Sequence, residues 1–424
     1  MRKYLERLPK EILDVVYLAG GIASEKNLRV YLVGGFVRDL ILGVKNLDVD
    51  IVVEGDGIRF AEELAKRLNV RLISHRRFGT ATVFVSRHFK IDIATARKES
   101  YPAPASLPVV VPGNLREDLA RRDFTINAMA IAISVRHFGQ FIDFFGGRKD
   151  LRSRSIRILH AASFIDDPLR ILRAIRFEQR YRFRIEAFTR RCLNDAVKLR
   201  MLEKIGPQRT RDELLLLLKE RHPLSALRRL QKLAGLTFLH RKLRLTPKIG
   251  RLLDSVEKQV DWFQAFHGHR RPLDAWLLYF LGLTDTLTLH DIGSLCRKFV
   301  FLRGEEKRIV VYKKIHSGFI RRLSKTDLMP SRVCAMLEPL SYEAILMLLA
   351  KHRNVHLKRH IEDFLRVYND VRIHVSGHDL KDLGIAAGPE YQKIFAKVLN
   401  ARLNGKLHSK EDELQFIKRL SRLP

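Results

Sequence analysis

The chain has 424 residues, of which 46% are hydrophobic and 8% aromatic, a composition typical of a folded protein of about two to four domains and not of a disordered one. Its 79 Lys and Arg against 47 Asp and Glu give a formal net charge of +32, so nucleic acid is the expected partner. No apolar run approaches the roughly 18 residues of a membrane span, and acidic residues near the start do not suit a signal peptide, so we expect a cytoplasmic protein without a membrane partner.

The first 150 residues have the pattern of a mixed domain. Strand-like runs such as VYLVGGF, LDVDIVV, TATVFVS and FKIDIAT alternate with helical segments such as GIRFAEELAKRLN. From about Ser163 onward the apolar spacing is helical, as in DPLRILRAIRF and RDELLLLLKE. The sequence therefore predicts an α+β fold, a small mixed head followed by a long helical body. Residues 1–150 carry +6 and the remainder +26, so we expect the polyanion mainly along the C-terminal part.

Two aspartates in the head alternate with apolar residues in a predicted strand. Because side chains two apart point to one face, Asp48 and Asp50 present adjacent carboxylates, an arrangement that divalent cations and a substrate phosphate make tolerable. Upstream, Gly34 and Gly35 let the backbone approach phosphates, and Arg38 is one helical turn beyond. The plain structural alternative is a strand with a hydrated polar face that follows a glycine turn.

A third acid and a proline-rich segment follow. In FKIDIATAR, Asp92 has the same apolar neighbours, and on an adjacent strand it would complete a metal-binding triad. The next segment, RKESYPAPASLPVVVPG, contains four prolines, which we expect to prevent regular structure.

The motif RRDFTINAMAIAI places two arginines and an aspartate before an apolar run. We predict that this run is helical and that Asp123 or Thr125 caps it. Arg122 is a candidate phosphate ligand, with a salt bridge to Asp118 or Asp123 as the alternative.

The stretch FIDDPLRILRAIRFEQRYRF predicts a helix that begins at a proline. Pro168 suits the first helical position and Asp167 the cap before it. Arg170, Arg173 and Arg176 follow at spacings of three, near one face of the helix. Asp167 and Arg170 together could match the Watson-Crick edge of a base, while the later arginines meet a triphosphate. The alternative is a capped helix with an exposed basic stripe.

Taken in order, these motifs resemble a known family. The order GGFVRD (Gly34 to Asp39), Asp48-x-Asp50, RRDFTINA (Arg121 to Ala128), IDFFGGRKDL (Ile142 to Leu151) and a DDxxR helix (Asp166 to Arg170) is similar to that of the class II tRNA nucleotidyltransferases and bacterial poly(A) polymerases, members of the polymerase-β-like superfamily. The match is close over roughly residues 30–215. Farther on, PQRTRDELLLLL and the segment from Val375 to Leu407 look like the body and tail of the tRNA enzymes.

The resemblance implies a nucleotidyltransferase head (1–145), a neck with nucleotide-templating helices (146–215), a helical RNA-binding body (216–300) and a helical tRNA-binding tail (301–424). It implies Mg²⁺, two ions, on Asp48 and Asp50. It also implies nucleotide binding by Gly35, Arg38, Arg122, Asp167, Arg170, Arg173 and Arg176. From the sequence patterns above we add Asp92 as a catalytic acid and Gly34 and Asp123 as nucleotide-binding residues. In one departure, the templating helix opens with Asp166-Asp167, where the family usually has Glu-Asp, which puts any support from that glutamate in doubt.

The expected reaction is transfer of a nucleotide to the 3′ end of tRNA. A 3′-hydroxyl activated by one Mg²⁺ attacks the α-phosphate of CTP or ATP, and pyrophosphate leaves neutralised by the second Mg²⁺ and the arginines. Asp167 could accept from the amino group of cytosine or adenine, and Arg170 could donate to the neighbouring ring acceptor. Guanine and uracil present the opposite pattern, which would leave buried charges unpaired.

The particular activity stays open at this stage. The proline-rich segment occupies the place of a flexible loop that CC-only enzymes lack, so CC addition alone is disfavoured, whereas no residue separates CCA addition from A addition. The tail-like segment favours a tRNA enzyme over a poly(A) polymerase. Two further classes stay open, a non-catalytic RNA-binding protein and a nucleotidyltransferase of small molecules, and the +26 charge disfavours the second. The oligomeric state is not predicted.

Overall fold

The structure is a computed structural model, which describes residues 1–44, 48–267 and 271–421. The chain divides into two compact units. Unit 1 comprises Met1–Glu220 and Arg229–Phe238, and unit 2 comprises Arg221–Arg228 and Leu239–Pro424. This division does not separate head from neck or body from tail, so the bounds of the four expected domains stay predictions.

Unit 1 is built on a mixed seven-stranded sheet with the strand order β3-β4-β5-β2-β1-β8-β9. Strands β2 and β5 are parallel, and the other neighbouring strands of this sheet are antiparallel. Two smaller sheets pair β6 with β7 and β10 with β11. The strands are β1 (Arg29–Val33), β2 (Val49–Glu54), β3 (Arg71–His75), β4 (Thr80–Phe84), β5 (Lys90–Thr95), β6 (Arg97–Ser100), β7 (Val109–Pro112), β8 (Ala130–Ala132), β9 (Phe141–Ile142), β10 (Ser155–Ile156) and β11 (Arg184–Ile185).

The helices of unit 1 flank the sheet and then continue the chain without further long strands. They are α1 (Arg2–Leu5), α2 (Lys10–Glu25), α3 (Gly35–Leu42), α4 (Gly57–Leu68), α5 (Leu115–Ala120), α6 (Gly147–Arg152), α7 (Ser163–Asp166), α8 (Leu169–Tyr181), α9 (Ala187–Lys198) and α10 (Pro207–Leu218). Helix α11 (Pro223–Leu233) contributes residues to both units.

The described part of unit 2 is helical, as the apolar spacing predicted. Its helices are α12 (Pro247–His267), α13 (Ala275–Leu283), α14 (Leu289–Lys298), α15 (Arg303–Lys313), α16 (Ser317–Leu323), α17 (Pro330–Leu337), α18 (Tyr342–Lys351), α19 (Val355–Arg366), α20 (Gly377–Asp382), α21 (Pro389–Leu403) and α22 (Lys410–Ser421). The predicted α+β class, a mixed head followed by helices, is confirmed.

Two local predictions are wrong. The apolar run after Arg122 is not a helix, because a short 3-10 turn at Thr125–Asn127 leads into strand β8, whose three residues are all buried in the sheet. The proline-rich segment is not irregular throughout, since β6 and β7 form an antiparallel hairpin. Its prolines lie in the connection or at the end of β7, where a missing N–H donor does not interrupt the ladder.

Strands β3 to β5 have one covered face and one open face. Helix α4 packs against these strands and buries the apolar residues Ala81, Val83, Ile91 and Ile93. The alternate residues, which include Thr80, Thr82, Lys90 and Asp92, lie on the opposite face and are half-buried or exposed.

No single helix among the described residues is long and apolar enough to cross a membrane. Helices α17 and α18 reach that length and hydropathy only as a pair, and they are bent by 112° relative to each other.

Helix α2 packs its backbone directly on the end of the sheet, and two adjacent glycines provide a matched test. A Cβ on Gly20 would lie 2.2 Å from the carbonyl oxygen of Ile133, whereas one on Gly21 would meet nothing within 4 Å. We expect Gly20→Ala to lower the free energy of unfolding by about 2 kcal/mol or more, because the helix must move away from the sheet. The matched control Gly21→Ala should raise it by about 0.5–1 kcal/mol through helix propensity. Urea unfolding of both variants measures this difference, and similar values would contradict the close approach.

Candidate active site

The three predicted acids converge at the centre of the sheet. Asp50 on β2 and Asp92 on β5 are register partners in the parallel pair, and Asp48 directly precedes β2. Asp92 accepts hydrogen bonds from the hydroxyl of Thr82 at 2.6 Å and from Nζ of Lys90 at 3.0 Å. The sequence prediction that Asp92 lies on a neighbouring strand is therefore confirmed.

The carboxyl group of Asp50 is electrostatically strained. Burial raises its pKa to about 6, and the negative charges of Asp92 and Asp48 act in the same direction, while Arg122 opposes them. Among residues 1–44, 48–267 and 271–421, no group of three or more His, Cys, Asp or Glu side chains is arranged to hold a metal ion, so the expected metal-binding triad of acids is not found. The arrangement suits a hard cation that completes its coordination with water and substrate phosphate oxygens.

Gly34 leaves room for the side chain of Arg122. Its φ of 73° lies in the left-handed region, and a Cβ there would be 2.5 Å from Nη1 of Arg122 and 3.6 Å from Oδ2 of Asp50. Arg122 donates to the buried Asp118 at 3.0 Å, so the salt bridge considered as an alternative is present. That bond also fixes the guanidinium beside Asp50.

Most of the predicted residues line one cavity of about 910 Å³ in unit 1. Ten of the twelve are in its lining: Gly35, Arg38, Asp48, Asp50, Arg122, Asp123, Asp167, Arg170, Arg173 and Arg176. The other two lie beside it, Gly34 against Arg122 and Asp92 against Asp50.

Asp123 joins the start of the RRD motif to helix α8. Its carboxylate accepts from the backbone N–H of Phe124, from Nδ2 of Asn127 and from Nε of Arg173, each at 2.8 Å. Burial alone would raise the pKa of Asp123, but Arg173 and the bond from Asn127 outweigh burial and hold the pKa at about 2. Asp123 is thus an ionised link between the sheet and α8.

Helix α8 begins one residue later than predicted, at Leu169, with Pro168 in the cap position and not at the first helical position. Asp167, predicted to be the cap, is extended and precedes Pro168. Asp167 Oδ1 accepts from the N–H of Leu169 at 3.3 Å and from Nη2 of Arg209 at 3.0 Å. Arg170 is buried and donates to the hydroxyl of Ser163 at 2.6 Å and to the carbonyl of Arg121 at 2.7 Å.

The later arginines of α8 are held by acids of unit 1. Arg173 pairs with Asp123 at 2.6 Å, and Arg176 donates to Glu213 at 2.9 Å. Arg170 and Arg176 are buried, so the alternative of an exposed basic stripe is wrong for these two residues.

Arg38 is fixed on all sides. It forms a two-bond pair with Asp39 and donates to Oδ1 of Asn127 at 2.5 Å. Its guanidinium lies over the rings of Phe177 and Tyr181, at 5.2 and 4.7 Å from their centroids. These contacts tie the GGFVRD segment to the far end of α8.

Sequence reasoning missed several residues that line the cavity. Arg97, Glu99 and Tyr101 belong to the segment that we expected to be irregular, and the hydroxyl of Tyr101 donates to Glu99 at 3.0 Å. Arg209 is in PQRTRDELLLLL, which the sequence indicates only as similar to the body of the tRNA enzymes. Its spacing to Glu213, i to i+4 on one helix, could have indicated a shared face.

Known proteins resemble this chain over most of its length. The family described as "Poly A polymerase head domain" matches residues 30–157. The A-adding tRNA nucleotidyltransferase of Geobacter sulfurreducens is 38% identical over 98% of this chain and 48% of its own length. That of Halalkalibacterium halodurans is 31% identical over 96% of this chain and 92% of its own. The chain spans about half the length or less of two of the matched A-adding relatives.

Solved structures share the fold. The Thermotoga maritima CCA-adding enzyme complexed with tRNA is 34% identical, with a TM-score of 0.71 and coverage of 99% of this chain and 98% of that one. CCA-adding enzymes in complex with CTP and with ATP each have a TM-score of 0.72 at 34% identity; the first covers 99% of this chain and 98% of its own, the second 100% and 97%.

The fold is that of the polymerase-β-like type, a mixed-sheet head followed by helices. The chain belongs to the class II tRNA nucleotidyltransferase family, as the motifs indicated.

The strain at Asp50 predicts a change in stability when its charge is removed. Because the pKa of Asp50 is raised, the folded state keeps a proton that the unfolded state loses between about pH 4 and 6. The stabilisation that this group gives is therefore fully present below about pH 4 and is lost as the pH rises through about 6. At pH 8 without divalent cations, we expect Asp50→Asn to raise the free energy of unfolding by about 3 kcal/mol. Below pH 4 the gain should vanish.

Urea unfolding at the two pH values measures this effect. The exposed Asp14 provides the control, since Asp14→Asn should change stability little at either pH. If Asp50→Asn is no more stable than the wild type at pH 8, the groups around Asp50 cancel the destabilising effect of burying its carboxylate.

Proposed function

We propose that the chain adds nucleotides to the 3′ end of tRNA by transferring AMP from ATP, and CMP from CTP where C addition also occurs, with release of pyrophosphate. One observation carries the proposal. A single cavity of about 910 Å³ is lined both by the acids Asp48 and Asp50 and by the pair Asp167 and Arg170. A nucleoside triphosphate needs both sets of groups, the first near its phosphates and the second at its base.

Asp48 and Asp50 would hold Mg²⁺, two ions in the family pattern. Their oxygen donors suit this cation, and the raised pKa of Asp50 reflects like charges that a cation would relieve. Bound there, Mg²⁺ would lower the pKa of the attacking 3′-hydroxyl and neutralise the leaving pyrophosphate. Asp92 lies beside Asp50 as the third acid of the group.

The protein's own part in the reaction is positioning. Arg122, fixed by Asp118, and Arg173, fixed by Asp123, place positive charge in the cavity wall before any substrate arrives. Groups held in this way stabilise the charge that develops on the phosphates without reorganising.

Base selection rests on a carboxylate and a guanidinium that the protein holds rigidly. One oxygen of Asp167, Oδ1, accepts from Leu169 and Arg209, so Oδ2 can accept from the exocyclic amino group of cytosine or adenine. Arg170 keeps N–H groups beyond the two bonded to Ser163 and the Arg121 carbonyl, and one of these can donate to the ring nitrogen. Guanine and uracil would place a carbonyl against the carboxylate.

tRNA is the proposed acceptor because the similarity to tRNA enzymes covers nearly the whole chain. A poly(A) polymerase is the second candidate, favoured by the head-domain match alone. The A-adding relatives match over most of the chain, and A addition is also the last step of CCA addition, so A addition to tRNA ending in CC is the minimal activity that we propose.

A panel of tRNA ends tests this function. We expect ATP to extend tRNA ending in CC by one nucleotide, because the acceptor is a tRNA and not a general RNA end. Transcripts that lack the CCA end, that end in C or that end in CC are incubated with CTP, with ATP and with both, and the 3′ ends are sequenced. Long A tails on unrelated RNA would favour a poly(A) polymerase, and no extension of any tRNA would overturn the proposal.

A second test addresses base selection. Arg170→Ala should admit UTP or GTP while ATP use declines less, because the phosphate contacts persist. A site that reads a base by paired polar groups can reject a wrong one by about 10⁴-fold, so partial loss is measurable as kcat/KM for each triphosphate. Arg190→Ala, at an exposed arginine of α9, is the control. Unchanged ratios with a lowered melting temperature would show that Arg170 supports only the fold.

A further inference from the structure

A second cavity, of about 390 Å³, lies within unit 2. Its lining comes from the connection between α13 and α14, the ends of α15 and α18, and the start of α16. The volume is in the range of sites that bind small molecules or parts of larger ligands. The function proposed above gives this cavity no part.

Two lysines and one acid supply the charges of the lining. Nζ of Lys351 donates to the carboxylate of Asp285 at 2.6 Å, its one hydrogen bond within the described residues, so two of its N–H groups remain for a ligand. Nζ of Lys313 instead donates to three backbone carbonyls, those of Thr284, Asp285 and Leu287, at 2.7, 3.0 and 3.1 Å. With one carboxylate for two lysines, the cavity has an excess of positive charge.

The excess charge affects the titration of Lys313. Burial lowers the pKa of Lys313 to about 8, the charge of Lys351 acts in the same direction, and Asp285 opposes both. An anion in the cavity would favour the protonated form of this lysine. A cation is not the expected ligand, because the lysines would repel it.

Three neutral side chains of the lining can donate further hydrogen bonds. Nδ1 of His316 accepts from the backbone N–H of Phe319 at 3.3 Å, so Nε2 carries the proton of the neutral ring. Within the part of the chain that the structure describes, neither the hydroxyl of Ser317 nor the ring of His352 has a hydrogen-bond partner. Burial lowers the pKa of His352, so its ring is also a neutral donor near pH 7.

We propose that this cavity binds a phosphate group through four side chains: His316, Ser317, Lys351 and His352. Several donors and a net positive charge match the several acceptor oxygens and the negative charge of a phosphate. The reaction proposed above offers two sources of this group, the backbone of the tRNA and the released pyrophosphate. The choice of source rests on the proposed function, whereas the site itself does not.

Histidine NMR tests the site in the full chain. The ring signals of His316 and His352 are assigned from the single variants His316→Gln and His352→Gln. Pyrophosphate is then titrated without divalent cations at constant ionic strength, with sodium chloride as the reference. We expect both signals to shift with a saturable dependence on pyrophosphate and to stay in place with chloride.

Variants of the lining show which groups hold the ligand. Lys351→Gln should weaken the apparent affinity about tenfold, as expected for the loss of one charge-assisted hydrogen bond. Lys351→Arg should retain it, because the charge and the pair with Asp285 persist. Ser317→Ala, at an exposed position, should weaken it by less. The matched control is Lys381→Gln, at an exposed lysine of α20 in the same unit, which should equal the wild type.

Affinity for tRNA identifies the source of the phosphate. If the RNA backbone supplies it, Lys351→Gln binds tRNA more weakly than Lys381→Gln, and pyrophosphate competes with tRNA at this site. If pyrophosphate itself is the ligand, the two variants bind tRNA equally and the shifts of the histidine signals persist in the presence of tRNA. Either outcome supports a phosphate site.

Two results would overturn the proposal. The signals of His316 and His352 could respond to pyrophosphate no more than to chloride, or Lys351→Gln and Ser317→Ala could both bind pyrophosphate as tightly as Lys381→Gln. Because the titration needs no catalysis, an inactive wild type would refute the proposed function and leave this comparison readable.

Discussion

The site depends on a buried carboxylate placed beside another. Parallel pairing of β2 with β5 sets Asp50 opposite Asp92, and burial raises the pKa of Asp50 to about 6. Folding does not favour this arrangement by itself, so the surrounding structure must impose it. Arg122 reduces the strain, and its guanidinium occupies space that a Cβ on Gly34 would contact at 2.5 Å.

Further ion pairs join the site around Asp50 to the helical part of unit 1. Asp123 binds Arg173, Glu213 binds Arg176, and Asp118 binds Arg122. Each pair is largely buried, so removing one partner would leave a charge without compensation. The network therefore fixes the distance between the acids and the base-reading pair, which in our proposal is the length of a bound nucleotide.

Much of this could be predicted from the sequence because the chemistry lies in short local patterns. Asp48-x-Asp50, the RRD motif and the helix at Pro168 each specify their own geometry, and ten of twelve predicted residues line one cavity. The failures have a common cause. The run after Arg122 has residues that suit a helix, but pairing with β1 makes it a strand, and long-range pairing is not visible in a local pattern. Likewise, the hairpin of β6 and β7 and the contact from Arg209 to Asp167 join segments distant in sequence.

We propose above that Asp48 and Asp50 hold Mg²⁺, and a magnesium titration of thermal stability tests this proposal most directly. The melting temperature of the wild type at pH 8 should rise as Mg²⁺ is added, because the ion binds the folded state and relieves repulsion among the acids. The Asp50→Asn variant should gain little over the same range. An equal rise in both proteins would contradict the account, since the ion would then be bound elsewhere.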